Sequence, residues 1–193
     1  MTTEAMRWPA PPHWHGDVVI EPLTSALVEL DTTAYASSPL AIGRHSAGRW
    51  PTAGFTVEDN LPLIARHEAE HRAGAAFAHA LLSPARDREY GCAYLRPLAP
   101  YSERTGTRLV DPPRELAAAA IATWWLIDDV RARPDADSVL AALESWIAAW
   151  GAAPVVFRCL PEEDQSIDAL RRAGLTPIEA VGQELPYCWF VRS

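Results

Sequence analysis

Asp135 to Trp150 is the segment that most restricts what this chain can become. Val139, Leu143, Trp146, Ile147 and Trp150 recur at i, i+4, i+7, i+8 and i+11, which lines one side of an α-helix with apolar groups. Gly151 terminates it. A helix with one apolar stripe must lay that stripe on another element. Strand-like runs flank it. Ile121, Thr123, Trp124, Trp125 and Ile127 favour a central strand over about residues 119–127, and residues 154–159 read as a buried strand. Strand, helix, strand in that order predicts a parallel pair flanked by the helix, and favours a mixed sheet with helices on both faces.

The remaining elements come from local signals. Residues 18–22 read as a short strand and residues 24–38 as a weak helix. Residues 39–54, with Gly, Pro and Ser, read as loop. Thr56 is a good N-cap, with Glu58 and Asp59 in the first turn, so a helix starts there and runs to Gly74. Residues 76–82 and 90–96 form a predicted hairpin across a tight polar connection. Residues 98–115, with several prolines, read as a long loop. A helix over about 163–173, ended by Gly174, and strands over 176–181 and 185–191 complete the chain.

The 193 residues and 49% hydrophobic content suit one core, and no repeat or domain boundary is visible. The expected organisation is an extended arm over 1–16, rich in Pro and Trp, and one α/β domain over 17–193. A formal net charge of −8 repels phosphate backbones, so nucleic acid is not an expected partner. The N-terminal sequence has no apolar signal region, and the longest apolar run, Leu116 to Ile127, is too short to span a bilayer. A cytoplasmic protein without membrane contact is expected. Cys92, Cys159 and Cys188 are odd in number, lack a CxxC pair and sit in apolar contexts, so free thiols are expected.

Two stretches carry a resemblance. One runs from Thr56-Val-Glu-Asp-Asn-Leu through Gly91-Cys-Ala-Tyr-Leu95. The other is Gln165-Ser-Ile-Asp-Ala-Leu-Arg-Arg-Ala-Gly-Leu175. In this order, with the Trp146 helix between them, they resemble the Gcn5-related N-acetyltransferase (GNAT) superfamily over nearly the whole chain after Gly16. The resemblance implies a mixed, mostly antiparallel central sheet with helices on both faces, of the acyl-CoA N-acyltransferase type. It implies acetyl-CoA, or another acyl-CoA, as cosubstrate and a small-molecule amine as acceptor. Trp125, Leu126 and Ile127 would contact pantetheine where the family's fourth and fifth strands splay apart. Backbone N–H groups of the following loop and helix start would hold the pyrophosphate. Arg131, Arg133 and Ser138 fall in that segment, and Ser166 matches the late helix.

The chain departs from the family pattern at three places. Residues 128–138 contain no glycine where the family's pyrophosphate loop reads [RQ]-x-x-G-x-[GA], Pro134 removes a donor, and Asp135 and Asp137 place carboxylates where an anion would sit. The family's catalytic tyrosine falls on Leu170, and its asparagine on Glu163. The candidate acid–base groups are Glu115, Asp128 and Tyr187.

A competing pattern is His67-Glu-Ala-Glu-His71, which matches the zinc-peptidase HExxH spacing. Arg66, Glu70 and Arg72 surround it with charge, and the third histidine of the longer pattern is replaced by Phe77. A solvated helix face is the expectation and no metal is assigned. His13 and His15 flank Trp14 without a further ligand in view. Of the eight tryptophans, Trp146 and Trp150 belong to the helix stripe. Trp124 and Trp125 point to opposite faces of one strand, so at most one is expected in a cleft. Trp8, Trp14 and Trp50 lie in loops, where packing of the arm, an acceptor pocket or a homodimer contact would use them.

Overall fold

A computed structural model describes residues 12–50, 54–131, 135–151 and 154–192. Strand β1 (His13–His15) is followed by β2 (Val18–Pro22), a 3₁₀ turn (Ser25–Leu27), α1 (Val28–Ser37), α2 (Pro39–His45) and α3 (Val57–Arg72). Then come β3 (Phe77–Leu82), β4 (Glu89–Pro97), α4 (Leu98–Thr105), β5 (Arg108–Leu109), a second 3₁₀ turn (Arg114–Ala118) and β6 (Ala120–Leu126). The chain closes with α5 (Asp135–Trp150), β7 (Val155–Cys159), α6 (Asp164–Arg172), β8 (Leu175–Ile178), β9 (Ala180–Val181) and β10 (Cys188–Arg192).

Eight strands form one sheet in the order β1-β2-β3-β4-β6-β7-β10-β8, and β5 and β9 form a separate two-stranded ribbon. The pairing is antiparallel except between β6 and β7. This is the mixed, mostly antiparallel sheet that the resemblance implies. Helices cover both faces. Cys92 of β4 contacts Asp31 of α1, whereas His79, on the opposite face of neighbouring β3, packs its ring 4.4 Å from Trp146 of α5.

The local signals held where they were strongest. α5 spans the residues its stripe predicts, with Trp146 in the core. Thr56 caps α3 through a capping box, its hydroxyl accepting from Asp59 N at 3.3 Å and Asp59 Oδ2 accepting from Thr56 N at 3.0 Å. Two predicted loops are partly helical. Residues 39–45 form α2, with Pro39 at its start, where proline's fixed φ and missing N–H favour a helix. Residues 98–105 form α4, ended by Gly106 in the left-handed conformation. At the N-terminus, His13–His15 pair with Val18–Ile20 as an edge strand, while residues 1–11 of the predicted arm, Trp8 among them, fall outside the described residues. Cys92, Cys159 and Cys188 are free thiols. Among the described residues, no helix is long and apolar enough to cross a membrane.

Candidate acyl-transfer site

The parallel pair β6–β7 opens like a V. Ala120, Ile121 and Ala122 pair with Val155, Val156 and Phe157, and there the pairing ends, although β6 continues to Leu126. The β7-facing peptide groups of residues 123–126 are left without a strand partner, and buried peptide groups need one. A narrow slot lies in this gap. Trp124, Trp125 and Leu126 form one wall, Ala41 and Arg44 of α2 and Arg131 lie at its rim, Ala136 comes from the first turn of α5, and Glu163, Gln165, Ser166 and Ala169 come from the start of α6. Its free volume is about 30 Å³. Gln165 Oε1 is buried here with no hydrogen-bond partner among the described residues. Both tryptophans reach the slot, because it runs along the strand edge and so meets both faces.

The acidic start of α5 is turned away from the slot. Asp137 forms a two-pronged ion pair with Arg172 of α6, Oδ1 accepting from Nη2 at 2.6 Å and from Nε at 3.0 Å. Asp135 lines a different hollow, with His15, Arg88 and Tyr90. Ala136, between them, is the residue that faces the slot. The helix start therefore presents a small side chain and its N-terminal dipole, while the two rim guanidinium groups are ion-paired, Arg44 with Asp164 of the slot lining at 3.4 Å and Arg131 with Asp128 at 2.8 Å.

A polar row continues from the slot onto the face that carries α1 and α2. The Trp125 indole N–H donates to the Tyr94 hydroxyl at 3.3 Å. The His45 ring stacks on Tyr94, centroids 6.2 Å apart. His45 Nδ1 lies 2.8 Å from Glu163 Oε1, and Glu163 Oε2 accepts from Leu160 N at 2.6 Å. Glu163 is thus fixed by backbone and fixes the imidazole. In the neutral tautomer that donates Nδ1–H to this carboxylate, the lone pair is on Nε2. Burial pushes the Tyr94 hydroxyl well above its usual range, so it stays protonated.

The predicted site residues fall in several places. Trp125, Leu126, Arg131 and Ser166 line the slot. Ile127 does not; its N–H donates to Tyr90 O at 2.9 Å, which ties it to β4 on the other side. Ser138 is one helical turn on and lines the hollow with Asp135. Arg133 lies outside the described residues. Asp128 bonds Ser38 Oγ through its N–H (2.9 Å) and pairs with Arg131 at 2.8 Å, so it closes a turn. Glu115 is exposed on the 3₁₀ turn before β6, at the opposite end of that strand from the open slot. Tyr187 packs its ring 4.0 Å from the Arg158 guanidinium, on the Tyr94 face. Sequence reasoning missed His45 and Arg44, which lie on the helix it read as loop, and Glu163 as the partner of the His45 ring.

The HExxH residues form no metal centre among the described residues. His71 is buried rather than solvated, its ring 4.7 Å from Phe77 and 5.1 Å from His79, and burial lowers its pKa to about 4. Glu68 accepts from Ser25 N at 2.8 Å and pairs with Arg72 at 3.3 Å. The one trio of possible ligands among the described residues is Asp31, Glu89 and Cys92. It is internally hydrogen-bonded: Cys92 Sγ lies 3.4 Å from Asp31 Oδ1 and 3.1 Å from Glu89 Oε1, and Asn60 donates to Asp31 at 2.6 Å.

A mixed sheet whose parallel pair splays beside a helix N-terminus is the fold of the Gcn5-related N-acetyltransferases. Among solved structures, the chain is similar to RimL, a ribosomal L7/L12 α-N-protein acetyltransferase in complex with coenzyme A (TM-score 0.68, 14% identity, 94% of this chain and 97% of that one). It is also similar to the Salmonella typhimurium acetyltransferase that modifies the N-terminal serine of L7/L12 (0.64, 12%, 91% and 94%). A third is the microcin C7 self-immunity acetyltransferase MccE with acetyl-CoA and AMP (0.63, 11%, 91% and 92%). At these identities the likeness is one of fold. No protein-family model and no curated protein matches the chain.

Proposed function

We propose that this chain is an acyl-CoA N-acyltransferase acting on a small-molecule amine, with residues 17–193 as one catalytic domain. The observation that carries this reading is the end of β6–β7 pairing after Ala122 and Phe157. The unpaired peptide groups of β6 and the Gln165 amide oxygen suit the two amides of a pantetheine arm. Arg44, Arg131 and the α5 N-terminus suit the pyrophosphate. This route places the thioester toward the apex of the V.

Of the titratable groups beside the slot, His45 best fits the role of general base. Its Nε2 takes the proton from the amine as the nitrogen attacks the thioester carbonyl. The N–C bond forms, the C–S bond breaks, and the His45 proton passes to solvent. Leu170 is buried at the family's tyrosine position, so the departing thiolate is protonated by water. Titration with acetyl-CoA by calorimetry tests the reading directly: micromolar to submillimolar binding is expected, and no heat at millimolar ligand would end it.

One observation favours a second reading, a binding module without acyl-CoA chemistry. The slot has only about 30 Å³ free, so a pantetheine arm must displace the rim side chains of Arg44 and Arg131. Acyl transfer to any amine above the uncatalysed rate removes this alternative.

A further inference from the structure

The face of the sheet that carries Tyr94 also carries cations without anionic partners. Tyr94 of β4 pairs with Thr123 of β6, and Arg158 of β7 pairs with Trp189 of β10. Thr123 and Arg158 each follow the last paired residue of their strand, so the two flank the apex of the V. Arg96 projects from β4 on the same face, two residues beyond Tyr94. Among the described residues, neither Arg96 nor Arg158 pairs with a carboxylate. Glu70, whose charge favours that of Arg96, is itself engaged by His67 at 3.5 Å and Arg66 at 4.0 Å.

Aromatic rings wrap Arg158. Its guanidinium lies 4.0 Å from the Tyr187 ring centroid, 5.2 Å from Tyr101 and 5.6 Å from Trp189, and Nη1 donates to the Tyr101 hydroxyl at 2.8 Å. Nε is buried and has no hydrogen-bond partner among the described residues. The Nε–Nη2 edge, the one that binds a carboxylate with two parallel hydrogen bonds, is not taken up by Tyr101. Arg104 lies on the other contact of Tyr101, 5.7 Å from its ring. Burial and the nearby Arg158 and Arg104 charges lower the pKa of Arg96, so an anion here would relieve a repulsion within the protein.

We infer that the acceptor amine carries a carboxylate, held by Arg158 and Arg96 while its nitrogen faces His45 and the thioester. Thr123 and Arg158 stand on neighbouring strands, about 5 Å apart, beside the apex toward which the thioester runs, so a carboxylate on Arg158 lies only a few bonds from an amine at that carbonyl. An amino acid with a free carboxyl group meets that limit. The first residue of a protein does not, because its carboxyl is bound in a peptide. Tyr187, on the loop before β10, covers the guanidinium at 4.0 Å, so a carboxylate that reaches Arg158 has to displace that ring. The inference rests on the acyltransferase reading for the identity of the step, but not for the binding of the anion.

The test has two arms on the full chain. In the first, N-acetyl amino acids and their carboxamides are titrated without coenzyme A, following tryptophan fluorescence. In the second, free amino acids and their carboxamides compete as acceptors with acetyl-CoA. At least one acid is expected to bind, and to be acetylated, tenfold or more better than its amide. R158Q and R96Q should remove that preference, with acetyl-CoA affinity and circular dichroism unchanged, and R158K should restore part of it. Acid and amide that behave alike, a preference that survives both substitutions, or no binding of any acid would overturn the inference. Acid-selective binding in the first arm without turnover in the second would instead refute the acyltransferase reading and leave the anion site standing.

Discussion

Gly91 of β4 sits against the backbone of Trp125. A Cβ built on Gly91 would lie 1.9 Å from the Trp125 carbonyl oxygen, and Gly91 has φ +150°. The strand register shifts here, between Leu81 and Leu82 opposite Gly91 and Glu89, so the contact belongs to an irregularity that presses β4 onto β6. Backbone meets backbone, and neither side can rotate away. Gly91→Ala is therefore expected to cost about 3 kcal/mol or more. Thermal unfolding should show a Tm lower by roughly 6–12 °C, and acetyl-CoA affinity should fall because Trp125 moves. An unchanged Tm would mean that the close approach is not maintained.

His45→Gln keeps a polar side chain but removes the proposed base. A kcat loss of about 10²–10⁴-fold is expected, with acetyl-CoA affinity by calorimetry unchanged. Glu163→Gln should lose less, since it leaves the imidazole in place but weakens its orientation. If His45→Gln reduces acetyl-CoA binding and turnover in equal measure, His45 shapes the slot and is not the base.

Arg172 holds Asp137 away from the slot, Nη2 to Oδ1 being 2.6 Å. Arg172→Met frees that carboxylate beside the expected pyrophosphate position. At an effective dielectric of about 20 this repulsion amounts to roughly 1–2 kcal/mol, or about tenfold in affinity. Adding Asp137→Ala should restore binding to near the parent value. A double variant as weak as the single one would show that Arg172 acts by some other route.

Glu89 is buried beside Asp31, and burial, then the Asp31 charge, pushes its pKa well above the usual carboxylate value. The native state thus keeps a proton that the unfolded chain has lost. Stability from this group is complete below the unfolded-state pKa and falls as pH rises through the folded one. Glu89→Gln, neutral and of the same shape, should raise Tm at pH 8 while changing it little at pH 4. A Tm gain equal at both pH values would sink this account.

His71 acts in the opposite sense. Burial lowers its pKa to about 4 from 6.5, so the folded protein holds it neutral where the unfolded chain would be protonated. Its contribution is complete above pH 6.5 and is lost as pH falls toward 4, on the order of 3 kcal/mol in all. His71→Gln should flatten the acid side of a stability–pH curve; an unaltered slope between pH 6.5 and 4 would contradict it.

Much of the fold was legible because its signals are local. The Val139–Trp150 stripe fixed a helix, Thr56 and Asp59 fixed a helix start, and Trp124-Trp125 marked a central strand. Helices α2 and α4 were hidden by prolines counted as breakers. Pro39 and Pro100 lie in first turns, where no intrahelical N–H bond is lost. Of the site, the strand-borne and α6-borne residues Trp125, Leu126 and Ser166 were legible, because strand order predicts the slot. Ile127 and Ser138 were not separable from them, since which side of a strand edge or helix turn faces a gap depends on the neighbours.

The amino-acid sequence alone determined the element order, the apolar stripe of α5 and the parallel crossover, because periodicity and caps act within a few residues. Tertiary structure decided the rest. It brought His45 to Glu163 across 118 positions of sequence, and turned Asp137 toward Arg172 across 35. It also set Arg96 and Arg158 on one face, where neither pairs with a carboxylate among the described residues. Such contacts follow from sheet register and helix rotation, where a shift of one residue reverses every side chain, and no short stretch of sequence encodes that choice.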